Sequence, residues 1–207
     1  MSTVEQQLYT PDDLLQMPDG DRYELVDGQL VEQEDMGGKS VWAGGQVFFE
    51  LVLYAKANGG WAFMDGVGYQ CYPFAPDQVR KPDASFVCAG RFENDEIPDG
   101  HIRIPPDLAV EVVSPNDLFK NVEGKVDEYL RAGVKMVWVI DPKFCTIRIF
   151  RDRIGNARQI GPNDELTGDD VLPGFRCQVS ELFPKPKESD TLASEKESAE
   201  YTSSGDE

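Results

Sequence analysis

Two apolar runs joined by a helical pattern constrain this chain most: LAVEVV at 108–113 and KMVWVI at 135–140. Each is too apolar for a strand with one face in water, so both belong in a sheet covered on two sides. Between them, residues 117–132 carry Leu118, Val122, Val126, Tyr129 and Leu130 at i, i+3 and i+4 spacing. That is the stripe of a helix packed on the sheet, and Gly133 is placed to cap its end. A strand, a helix and a strand with short joints form a right-handed crossover, which sets the two strands parallel.

Glu111 interrupts the first run. Carboxylates are rarely buried unless paired or metal-bound, because desolvating the charge is costly. Lys125 falls within or beside the helical stripe, where a lysine either snorkels out or meets an anion. Lys125 lies roughly 12 Å down the helix at ~1.5 Å per residue. Glu111 lies about 7 Å back from its strand end. The two charges can therefore meet, provided Glu111 points to the helix side, which the sequence leaves open.

Asp83, just after Pro82, stands at the mouth of a further strand, ASFVC at 84–88. Two carboxylates converging from neighbouring strands, with a lysine nearby, make a hard oxygen site suited to Mg²⁺ or Mn²⁺. A cation there polarises a phosphodiester and lowers the pKa of its water, while a lysine orients that water or stabilises charge on phosphorus. Plainer readings stand beside this one. Glu111 is also consistent with a structural glutamate satisfied by Lys125 or backbone donors. Asp83 is equally a turn residue, and Lys125 an amphipathic residue at the stripe's edge.

The remaining pattern predicts an α/β (α+β) domain with a mixed central sheet flanked by helices. Thr10 and Pro11 open a short helix over 9–18. Asp27-Gly28 joins a hairpin within 22–34, and residues 39–57 form a second helix. WAFMD at 61–65, VGYQCYPF at 67–74 and CTIRIFR at 145–151 read as strands, with shorter pieces around ARQIG and VSELF. The ordered domain is expected over 1–183. Residues 184–207 are too polar to offset their ordering entropy and read as an acidic, disordered tail.

Several function classes are excluded or disfavoured. Cys71, Cys88, Cys145 and Cys177 have no CxxC spacing and His101 is the single histidine, so neither a zinc site nor a disulfide framework is indicated. The cysteines read as small hydrophobes, and His101 as an exposed, incidental loop residue. There is no P-loop, no GxSxG and no dinucleotide fingerprint. No apolar run is membrane-spanning and no signal peptide is evident, which predicts no membrane association and a cytoplasmic location. The net charge is −18. Three basic and seven acidic residues follow 183, so the body carries −14 of it. An acidic body opposes nucleic-acid binding unless a local basic cleft exists. Arg80, Lys81, Lys120 and Lys125 are the candidates for one.

RYELVDGQLV, VRKPDASFV, PPDLAVEVVSPND and KVDEYLRAGVKMVWVIDP together resemble a restriction endonuclease family widespread in cyanobacteria and other bacteria. That family is a branch of the PD-(D/E)XK nuclease superfamily. The resemblance covers roughly residues 9–183. It implies a restriction-endonuclease-like core and metal-dependent hydrolysis of DNA. Asp83 then matches the PD aspartate and Glu111 the acidic residue of (D/E)XK, both as metal ligands. The lysine expected two positions after that acid is replaced by Val113, and Lys125 matches a lysine moved to the following helix. Glu24 matches a further glutamate reaching the metal or its water. One departure is Ser40, where the family's second helix usually opens with a histidine. The rival expectation is a nuclease fold without activity, serving as an acidic protein-interaction module and possible homodimer.

Overall fold

The computed structural model describes residues 7–114, 119–152 and 157–185. The tail read over 184–207 therefore lies almost wholly outside the described residues, as do Asp117, Leu118 and the side chain of Lys120. Helix α1 spans Pro11–Gln16, with Thr10 and Asp13 forming a reciprocal capping box. The hairpin strands β1 (Tyr23–Val26) and β2 (Gln29–Glu32) follow. Asp27 and Gly28 both take positive φ, 50° and 75°, as a tight two-residue turn of this kind requires. Next come α2 (Gly38–Asn58), β3 (Trp61–Met64), β4 (Ala84–Val87) and β5 (Leu108–Val112). The chain continues through α3 (Phe119–Ala132), β6 (Met136–Asp141) and β7 (Thr146–Phe150). It closes with β8 (Arg158–Ile160), β9 (Glu165–Gly168) and β10 (Leu172–Gln178).

The central sheet has six strands in the order β3-β4-β5-β6-β7-β8. β5 and β6 are parallel, as the crossover pattern requires, and the other pairings are antiparallel. The period-two geometry of β5 and β6 splits their side chains between two cores. Leu108, Val110, Val112, Met136, Trp138 and Ile140 face α2 and the β9–β10 hairpin. Ala109, Val137 and Val139 face α3, where Val122, Val126 and Tyr129 cover them. Glu111 stands opposite Val139 in register and shares the α3 side. The chain's pleat thereby resolves what its sequence leaves open.

Two readings need correction. Residues 67–74 do not form a strand; Tyr69 alone bridges to Arg80 and Ile102, and a turn closes Tyr72 onto Ala75. Pro73 removes a donor at the point where a ladder would have to continue. His101 is half-buried, with Nε2 3.0 Å from the Pro11 carbonyl oxygen, so it ties the loop to α1 instead of standing free in solvent. VSELF holds a single 3₁₀ turn over Val179–Leu182. Cys71 and Cys177 are buried, Cys88 and Cys145 half-buried, and all four are free thiols. Among the described residues, no helix is long and apolar enough to cross a membrane.

Candidate active site

At the carboxyl end of β5, the sheet, the β1–β2 hairpin and α3 enclose an open cleft of about 770 Å³. Glu24, Asp83, Glu111 and Lys125 all line it. β1 delivers Glu24 and β5 delivers Glu111, both buried. Asp83 immediately precedes β4, and its Oδ2 accepts the Val112 N–H at 2.5 Å. That bond crosses from one strand to the next and fixes the Asp83 carboxylate beside Glu111.

Helix α3 faces this end with Lys125, Glu128 and Tyr129, at the i, i+3 and i+4 positions that share one side. Lys125 Nζ sits 3.2 Å from both Glu111 Oε2 and Glu24 Oε1. The Tyr129 hydroxyl donates to Glu111 Oε1 at 2.7 Å. Glu24 also accepts from the Lys81 N–H at 2.9 Å and from Arg80 Nη1 at 2.8 Å. Sequence reasoning misses Glu128 and Tyr129 as parts of the site. Their spacing from Lys125 was the available signal.

Charge is unevenly shared. Burial pushes Asp83 well above the ordinary carboxylate range, and the neighbouring Glu111 charge pushes it further. Burial also raises Glu111; Lys125 draws it back and Glu24 adds to the rise. Glu24 goes the other way. Burial raises it, but Lys125, Arg80 and the Lys81 amide outweigh burial and leave it below the ordinary value. Burial opposes the charge on Lys125, yet Glu111, Glu24 and Asp83 overcome this and hold the ammonium above its usual pKa.

Among the described residues, Arg80, Lys81 and Lys125 do not form the expected basic cleft; the Lys120 side chain lies outside them. Lys81 is buried and donates to the Gly20 carbonyl at 2.6 Å. Arg80 is turned inward onto Glu24 and Glu128, and Lys125 is held between two glutamates. Ser40, where the resemblance leads one to expect histidine, is buried and donates to the Val113 carbonyl oxygen at 3.1 Å. It anchors α2 to the end of β5 and leaves no side chain for a substrate.

No cluster of three or more His, Cys, Asp or Glu side chains suited to a metal occurs among the described residues. A hard cation such as Mg²⁺ does not require one. It is commonly bound through one or two carboxylates, with waters and substrate oxygens completing the shell. Asp83 and Glu111 fit that demand: one is half-buried and the other buried, and the Glu111 charge raises the proton affinity of Asp83.

A mixed sheet presenting carboxylates at its strand ends, with a lysine from the crossover helix, defines a restriction-endonuclease-like fold. The chain belongs to the Uma2 family, described as "Putative restriction endonuclease", whose model matches residues 11–180. Among solved structures it is similar to the crystal structure of a "putative nuclease belonging to DUF820" from Anabaena variabilis. The two share 22% identity and a TM-score of 0.70, over 84% of this chain and 97% of that one. No curated protein gives a significant match. Family membership supports an enzyme acting on nucleic acid.

Proposed function

We propose that the protein is a metal-dependent endonuclease that hydrolyses DNA phosphodiester bonds at the Asp83–Glu111 end of the sheet. The observation carrying this reading is the crowding of Asp83 against Glu111 at the mouth of the cleft, where Lys125 and the Tyr129 hydroxyl answer Glu111. Mg²⁺ or Mn²⁺ held by these carboxylates would supply Lewis-acid polarisation of the phosphate and a water of lowered pKa. Asp83 and Glu111 are the groups that would hold it. Lys125, kept protonated, cannot act as a base. Its Nζ is a fixed donor that orients a water or stabilises negative charge developing on the phosphate oxygens. Glu24, kept ionised, steadies that ammonium.

One observation favours a second reading. Among the described residues, the cations lining the cleft, Arg22, Arg80 and Lys125, are each paired with a carboxylate of this chain. An inactive fold acting as an acidic interaction module accounts for that equally well. Cleavage of supercoiled plasmid and of single-stranded DNA in Mg²⁺ or Mn²⁺ separates the two. Wild type is expected to nick, and Glu111→Ala to lose about 10³-fold or more, the scale of metal-borne charge stabilisation. A folded Glu111→Ala protein as active as wild type would overturn the assignment.

A further inference from the structure

Arg80 invites assignment as a phosphate contact, since it lines the cleft and lies three residues before Asp83. Its geometry says otherwise. Nε and Nη2 donate to Glu128 Oε2 and Oε1 at 2.6 and 2.9 Å, a two-pronged clamp. Nη1 donates to Glu24 Oε2 at 2.8 Å. The side chain is only 11% exposed, so each of its three nitrogens is committed inside the protein. Glu128 is held in turn by Gln78 Nε2 at 2.7 Å.

The consequences run along the network. Glu24 Oε2 is taken by Arg80, so only Oε1 remains to meet Lys125, at 3.2 Å. The orientation of Glu24 is therefore set by Arg80 on Oε2 together with the Lys81 N–H, which donates to Oε1 at 2.9 Å. Lys125 is placed by Glu24 on one side and Glu111 on the other. Glu128 and Lys125 lie three residues apart on α3, so the Glu128–Arg80–Glu24–Lys125 path begins and ends on the same helix. A closed ring of alternating charge resists rotation of any one member, because a guanidinium fork fixes a carboxylate plane as well as its charge.

We infer that Arg80, clamped by Glu128, is a positioning residue that sets Glu24 and through it Lys125, and that it makes no contact with nucleic acid. This rests on the nuclease reading above. The two roles predict opposite kinetics. A phosphate contact removed by Arg80→Gln raises KM and lowers the salt slope of KM by about one unit, whereas Arg80→Lys largely restores it. A positioning residue lost to Arg80→Gln lowers kcat, with KM and its salt slope unchanged. Arg80→Lys does not rescue, since a point charge cannot reproduce the fork.

The test is steady-state cleavage of plasmid DNA in Mn²⁺ across a salt series, using wild type, Arg80→Gln, Arg80→Lys and Glu128→Gln. Thermal melts normalise each to folded protein. For either Arg80 variant kcat is expected to fall about 10–100-fold, the cost of misplacing a catalytic group by the order of an ångström. Glu128→Gln, at the more exposed end of the clamp, is expected to lower kcat about tenfold at constant KM. It remains informative if the Arg80 variants do not fold. Combined with Arg80→Lys it should add little, because both act through one path. A rise in KM with kcat preserved, rescue by lysine, or an unchanged kcat in Glu128→Gln overturns the inference and leaves the nuclease reading standing. Wild type that cleaves nothing removes both.

Discussion

The two ends of β5 each bury a carboxylate, and they treat it in opposite ways. Asp107 directly precedes the strand and its side chain is fully buried. Its Oδ2 accepts from the Cys88 N–H at 2.8 Å and from Arg91 at 2.9 Å, and its Oδ1 pairs with Lys135 at 2.8 Å. One anion meets two cations and a backbone donor. At the other end, among the described residues, Glu24, Asp83, Glu111 and Glu128 gather around two cations, Lys125 and Arg80. Burial works against ionisation at both ends. Around Asp107 the surrounding donors win and its pKa is lowered; around Asp83 and Glu111 they do not, and the carboxyls are raised. A structural ion pair is satisfied within the chain. The surplus of anion at the carboxyl end is what a cation from outside would balance.

The comparison breaks most readily at Asp107. Asp107→Ala leaves Arg91 and Lys135 facing an empty buried position and should cost about 3 kcal/mol of stability, read as a lowered urea midpoint. Cleavage per folded molecule should not change. If Asp107→Ala left stability intact but abolished cleavage, the division into a structural and a functional end would be wrong.

A smaller effect sharpens it through pH. The lowered pKa of Asp107 means that its stabilisation is complete above the ordinary carboxylate pKa and is lost as pH falls through its folded value. For Asp83 the sign reverses. Its raised pKa means that the folded state binds the proton more tightly, so its contribution is best below about pH 4 and declines as pH rises toward the folded value. Asp83→Asn keeps an acceptor for the Val112 amide but cannot ionise. Urea midpoints of the variant and wild type should coincide near pH 4, and the variant should become the more stable by pH 7. Parallel curves across that range would show that Asp83 bears no excess charge.

Much of this was legible in the chain because it depends on local period. The crossover, the parallel pairing of β5 with β6, and the place of Lys125 near Glu111 follow from spacings of two and of three to four. Glu24 was legible only by resemblance: its strand alternates like any hairpin strand, and nothing local marks it. The Arg80–Glu128 clamp was not legible at all. Its partners are 48 positions apart, and charges that meet through tertiary folding leave no periodic trace. The β9–β10 hairpin escaped for a different reason. Pro173 and Gly174, the latter at φ 85°, lie within an irregularity between Leu172 and Arg176 that breaks the alternation by which a strand is read.

The most direct measurement is calorimetric titration of Mn²⁺ and Mg²⁺ into wild type, Glu111→Ala and Asp107→Ala at low salt and neutral pH. The account predicts a bound cation in wild type, its loss in Glu111→Ala, and binding kept by the folded fraction of Asp107→Ala. Wild type that takes up neither ion, or a Glu111→Ala protein that binds as wild type does, would contradict it.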